Sequence, residues 1–194
     1  MSAQQRPSGF DTGSHHIPDV DGTDWYGPDI HLRWLVRRAV GEGDWAKADS
    51  ALRDAGTLVP REIEPRMVTL ETNLPVLRQY DRRGQRVDEV DYHPCFREVD
   101  GLERRFGIVA SRYGKQWRDF DGPAPVAVGL GAEYLFLQAD QAIAGCATGM
   151  VSAMCRTLIR NDPALAAKWV PGLASDGDDY LTSAMFLLRV LPPQ

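Results

Sequence analysis

Between Gly131 and Arg160 the sequence runs for thirty residues in a helical apolar pattern that only Glu133, Asp140, Arg156 and Arg160 interrupt with charge. Leu135, Ala139, Ala142, Cys146 and Ala153 form one apolar row. Phe136, Ile143, Ala147, Met150, Met154 and Leu158 form a second. Gln138, Gln141, Thr148, Ser152 and Arg156 are left as a narrow polar stripe. As one helix the stretch would be roughly 45 Å long. A helix apolar on two sides belongs at the centre of a bundle. Its small residues Ala142, Gly145 and Gly149 would admit a neighbouring backbone or a flat ligand. The chain is therefore expected to be all-α.

The rest of the pattern supplies partners for that helix. From Asp29, with Pro28 as entry residue, Leu32, Leu35, Val36 and Ala39 share one face. Asp44 reads as the N-cap of a second helix carrying Trp45, Ala48, Leu52 and Ala55, with Gly56 as its stop. A third is expected over Glu62–Asn73, through Ile63, Met67 and Leu70, ended by Pro75. Asp81-Arg82-Arg83-Gly84 has the form of a type I turn. Pro94 then opens a strongly amphipathic run through Cys95, Phe96, Val99, Leu102, Phe106, Val109 and Tyr113. After a Pro/Gly-rich loop at 119–129 and the long helix, Asp162-Pro163 starts a short helix through Trp169 that Pro171-Gly172 stops.

The two ends differ from this middle. Residues 1–28 lack periodicity and read as a flexible N-terminal arm. Residues 29–178 form the helical domain. Tyr180–Leu191 is a nearly continuous apolar run between the acidic loop Asp176–Asp179 and Pro192-Pro193, which reads as a buried strand. With no comparable strand elsewhere it would be an orphan, and 179–194 would be the start of a second, β-type domain. An unpaired apolar strand implies a missing partner sheet.

Composition narrows the function classes. With 22 basic and 27 acidic residues the net charge is −5, a poor footprint for phosphate backbones, so nucleic acid is not an expected partner. Even the basic cluster Arg78, Arg82, Arg83 and Arg86 is offset by Asp81, Asp88, Glu89 and Asp91. Cys95, Cys146 and Cys155 are an odd, widely spaced set rather than a disulfide framework. No signal-peptide core is present. The longest uncharged stretch, Gln141–Cys155, is shorter than the about 20 residues a membrane span needs. A soluble, cytoplasmic chain is the expectation.

No self-contained active site emerges from the residues. His15-His16 with Asp19, Asp21 and Asp24 could be imagined around a metal, but an aperiodic arm gives no preorganised geometry, and no metal is expected. Gly129-Leu130-Gly131-Ala132-Glu133-Tyr134 begins like a dinucleotide fingerprint but has Tyr134 at the third glycine, and reads as a loop-to-helix entry. Cys146 and Cys155, nine residues apart, fall on opposite sides of a helix and read as packing residues. His93, just before a helix start, is suited to bonding the local backbone.

Two segments carry a family resemblance. Tyr80-Asp81-Arg82-Arg83-Gly84-Gln85-Arg86-Val87-Asp88-Glu89-Val90-Asp91-Tyr92-His93-Pro94 is similar to the Tyr-Asp-x-x-Gly-x-Arg-x-Asp-x-Val-x-Phe-His-Pro segment of the alkylation-response (AidB-type) branch of the acyl-CoA dehydrogenases. Ala164–Phe186 resembles that family's passage from a short Trp-bearing helix into its flavin-contacting strand. The resemblance spans about residues 30–187. It implies the family's N-terminal helical domain, an FAD cofactor and an acyl-CoA-type ligand. Family members oxidise a CH–CH group of an acyl thioester and assemble as oligomers.

Met185, Leu187 and Leu188 hold the positions that would approach the flavin, with Leu188 where the family has a hydrogen-bonding Thr. Where the family continues into Thr-Glu and Gly-Ser-Asp, this sequence reads Leu188-Arg189-Val190-Leu191-Pro192-Pro193-Gln194. The resemblance thus implies a module cut off before the β-domain, with no catalytic base of its own and inactive alone. A complementary dehydrogenase chain would complete it. The alternative is a non-catalytic helical interaction protein or the subunit of a split dehydrogenase.

Overall fold

The protein is described here by a computed structural model, which covers residues 23–181 and Ser183. The first helix, α1 (Ile30–Leu58), is two helices in series, because Gly41 at φ 72°, ψ 177° breaks it where no other residue would sit easily. The arms fold back on each other. Arg33 reaches Asp49 at 3.6 Å, the Tyr26 hydroxyl donates to Asp49 at 3.0 Å, and Arg37 lies over the Trp45 ring at 5.6 Å. Asp29 caps the first arm by accepting from the Leu32 N–H at 2.8 Å. Gly56 does not stop the second arm. It lies inside the helix, so close to Tyr26 and Asp24 that a side chain there would strike both.

A π-helical turn, Val59–Ile63, joins α1 to α2 (Glu64–Thr72). Next comes a hairpin of β1 (Val76–Tyr80) and β2 (Arg86–Asp91), antiparallel and pairing Leu77 with Val90 and Arg78 with Glu89. The expected turn at Asp81 forms: its carboxylate accepts from the Arg83 and Gln85 N–H groups at 2.8 and 2.9 Å. The flanking strands were not expected, and they correct the reading of a chain without other strands. Every residue of both is exposed, so neither shows the one-sided alternation that marks a half-buried strand.

Helix α3 (Pro94–Phe106) starts at Pro94 as expected but ends well before Tyr113. Gly107 takes the left-handed conformation at φ 84° as its C-cap, against the Trp117 indole. The short α4 (Ala110–Tyr113) follows. Arg66 ties α2 to α3 through Glu98 at 2.8 Å.

The long central helix is likewise divided. It becomes α5 (Val126–Leu137), a break, a π-helical turn (Ala142–Ala147) and α6 (Thr148–Asn161). Then α7 (Pro163–Leu173) opens on an Asp162 cap and runs through Pro171 rather than stopping there. The core is the space between both arms of α1, α3 and α5. Leu52, Ile63, Val99, Phe136 and Trp117 are fully enclosed in it, and Phe106 packs on Phe136 at 4.9 Å between centroids. Fully burying each such side chain is worth about 1.5–3 kcal/mol. A second cluster, including Cys155, Val170 and Leu173, joins α6 to α7.

The all-α expectation holds for this bundle, with the hairpin as its sheet component. Of the expected strand Tyr180–Leu191, Tyr180, Leu181 and Ser183 are described and carry no ladder. The remainder lies outside the described residues.

Candidate functional site

The break between α5 and α6 positions the site. Asp140 is wholly buried there, and its Oδ1 accepts from the Ala142 and Ile143 N–H groups at 2.8 and 3.0 Å. A short acid that bonds its own downstream amides competes with helix continuation, and that is why the expected single helix divides. The chain resumes in the wider π form, with the Cys146 N–H donating to the Gln141 carbonyl at 3.1 Å. Such turns within helices recur at functional sites. Ile143, on this turn, lines two cavities.

The first is small, about 60 Å³, and mostly apolar, bounded by α3, the Gly107–Ala110 segment, the π-turn, α6 and the segment after α7. Asp100, Glu103 and Arg104 enter it from α3, and Thr148, Ser175 and Tyr180 face them. Arg104 pairs with Asp100 and lies under the Tyr180 ring, 3.1 Å from its centroid. Burial pushes the Asp100 carboxyl up and the Arg104 guanidinium down, each opposed by the charge of the other.

Glu103 is 2% exposed. Burial, then the charge of Asp140 and a hydrogen bond to it, then Asp100, push its carboxyl up to about 10. Apart from that contact, both its oxygens and Asp140 Oδ2 are buried without a hydrogen-bond partner, a setting that favours the neutral form of Glu103.

The second cavity is an apolar cleft of about 260 Å³ at the root of the hairpin. Met67, Leu70 and Leu74 form one side, and Phe96, Ala142 and Ile143 the other. Tyr92 packs on Phe96 at 4.5 Å, and Glu71, Asn73 and His93 supply polar groups to the lining. His93 caps α3: its Nδ1 accepts from the Cys95 N–H at 3.3 Å, the backbone role expected for it.

Other sequence candidates are placed as follows. Met185, Leu187 and Leu188 lie outside the described residues, as do His15, His16, Asp19 and Asp21. Asp24 accepts from the Tyr26 and Gly27 N–H groups in a turn. Among the described residues no group of three or more His, Cys, Asp or Glu could hold a metal. Gly129 and Gly131 are inside α5, not at a loop-to-helix entry, and Gly131 lies against Leu52. Cys155 is core, its thiol raised to about 11 by burial, whereas Cys146 is exposed.

These two cavities fall below the roughly 300–1,000 Å³ typical of drug-sized ligands, whereas open hollows of about 500 Å³ between α1 and α5 and about 550 Å³ beside Arg61, Arg105 and Arg118 fall within it. One helical stretch, Ala142–Asn161, is long and apolar enough to cross a membrane by length and composition, though it packs against α7.

Glu103 and Asp140 were missed at the sequence level. A signal existed: Glu103 is four residues after Val99 and three before Phe106, on the stripe that should be apolar. Asp140 is the lone acid between Glu133 and Asp162.

Comparison with known proteins gives three findings. Residues 16–180 match the family described as the adaptive response protein AidB N-terminal domain. The fold is similar to Caenorhabditis elegans ACDH-11, solved in complex with C11-CoA, with a TM-score of 0.70 and 20% identity over 93% of this chain and 30% of that one. It is also similar to Bd2924 in its apo-form, with a TM-score of 0.66 and 21% identity over 78% of this chain and 30% of that one. The chain thus spans about a third of the length of these structures. No curated protein matches it.

Proposed function

Because the chain belongs to the AidB N-terminal domain family, of the acyl-CoA dehydrogenase fold, we propose that it is the acyl-thioester-binding helical module of a dehydrogenase-type protein. The apolar cleft between α2, the hairpin root and the π-turn receives the acyl chain. The observation that carries this reading is the cleft itself: about 260 Å³, apolar on both sides, with polar groups at Glu71, Asn73 and His93. The capture of C11-CoA by ACDH-11 supports it.

The module's part is to bind and enclose rather than to abstract a proton. Glu103, the acid buried beside the cleft, is protonated at neutral pH and can donate but not accept. FAD, the cofactor that the resemblance implies, is assigned to neither described cavity. Met185, Leu187 and Leu188 are proposed as the positions that approach it. Cytoplasmic location and assembly with a second copy or a complementary dehydrogenase chain belong to the same reading.

Filling the cleft tests it. Ala142 is exposed and lines the wall, so Ala142→Phe places a ring where the chain would run. By calorimetry the protein should bind decanoyl-CoA, and the variant should lose at least about tenfold in affinity. Equal affinity of both proteins, or equal affinity for CoA without an acyl chain, would refute this cleft as the acyl site.

A second reading, a non-catalytic interaction protein, is favoured by the hairpin. Val76, Leu77 and Tyr80 are each more than half exposed there.

A further inference from the structure

The acyl cleft and the smaller cavity share one lining side chain, Ile143, and Ala142 beside it on the π-turn lines the cleft. The Ala142 and Ile143 amides are held by Asp140 Oδ1. The other oxygen, Oδ2, is buried and meets no donor except the Glu103 carboxyl. Glu103 is in the same position: both its oxygens are buried, without a backbone or Arg partner. Two carboxylates in that contact would repel each other across a dry interface. A single proton between them removes the repulsion and supplies the missing hydrogen bond.

We propose that Glu103, buried and without another partner, keeps its proton and donates it in a hydrogen bond to Asp140 Oδ2 between α3 and the π-turn, and that this hydrogen bond pins the Ala142–Ile143 wall of the cleft. This rests on the cleft being the acyl site. Glu103 and Asp140 are positioning residues, acting on the ligand only through the wall.

The remaining charged and titratable groups at the cavity are Asp100 and Arg104 on α3 and Tyr180 after α7. Asp100 adds negative charge, so it strengthens retention of the proton, and its pairing engages the Arg104 Nη2. Arg104 Nη1 is buried without a hydrogen-bond partner, and among the described residues lining the cavity Arg104 is the one cationic group opposing that retention. The elements opposite contribute Thr148 and Ser175, which carry no charge. When hydroxide takes the proton, water forms and two carboxylates remain in contact. Asp140 is then pushed off the amides, and the wall loosens. Glu103→Gln keeps a neutral donor in the same place and has no proton to lose.

The test follows the proton and the wall separately. In carbon-13 and amide NMR of the whole chain, the Glu103 carboxyl carbon should hold its neutral-acid shift through neutral pH. As it titrates in the alkaline range, the Ala142 and Ile143 amides should move with it in one step. Glu103→Gln should abolish that step. It should also keep decanoyl-CoA affinity constant where the wild type loses about tenfold per pH unit above the midpoint. A Glu103 carboxyl that titrates in the ordinary carboxylate range, or amides that shift identically in Glu103→Gln, would overturn the pin. Failure of the wild type to bind decanoyl-CoA at any pH would overturn the acyl reading instead, with the NMR step still deciding whether the proton holds the wall.

Discussion

A buried carboxyl that stays protonated makes stability depend on pH in a definite direction. Glu103 is raised to about 10 in the folded chain, against an ordinary glutamate near 4.3 when unfolded. The stabilisation from its proton is fully present below the unfolded value. It drains away as pH rises to the folded one, because the unfolded chain releases a proton that the folded chain keeps. The slope from this group is on the order of 1.4 kcal/mol per pH unit over that window. Urea unfolding across the same range should therefore show a steeper fall in stability for the wild type than for Glu103→Gln, with the curves diverging upward in pH. Parallel curves would mean that Glu103 is ionised in the folded chain.

At the scale of elements, legibility tracked how far each segment depends on its own residues. The apolar spacing of the α1 arms, the Pro94 start of α3 and the Asp162 cap of α7 are local signals, and these elements form. Asp44, expected as the second arm's N-cap, lies inside α1, whose break is at Gly41. The single helix over 131–160 failed at Asp140, which periodicity alone cannot weigh. The decisive contact is a side chain bonding its own downstream amides inside a core that only the folded chain creates. Gly56 failed as a stop for a related reason: Tyr26 packs directly on it, and that tertiary contact overrides the local preference.

The hairpin was half legible: its Asp81 turn was plain, its strands were not, because strands exposed on both faces carry no burial pattern. That exposure makes a prediction. Leu77→Ala and Val90→Ala should each change global stability by less than about 0.5 kcal/mol, read from the urea midpoint. A larger loss would show the pair to be buried in solution.

Taken whole, the described part of the chain is a bundle in which one interrupted helix stands between a small cavity holding a buried acid and an apolar cleft. The family and its helical architecture were readable because they rest on a contiguous motif, Tyr80–Pro94, and on apolar spacing. The cleft was not readable, because its walls come from α2, α3 and the π-turn, which are far apart in sequence. Its chemistry is nonetheless simple: apolar surface leaving water. Each methylene that enters should add about 0.8 kcal/mol, close to fourfold in affinity.

The most direct measurement is a calorimetric series of straight-chain acyl-CoA esters of increasing length against the whole protein. Affinity should climb by about fourfold per methylene and then level off once the cleft is full, with Ala142→Phe levelling off earlier. An affinity that does not change with chain length would contradict an acyl chain in the cleft between α2 and the π-turn.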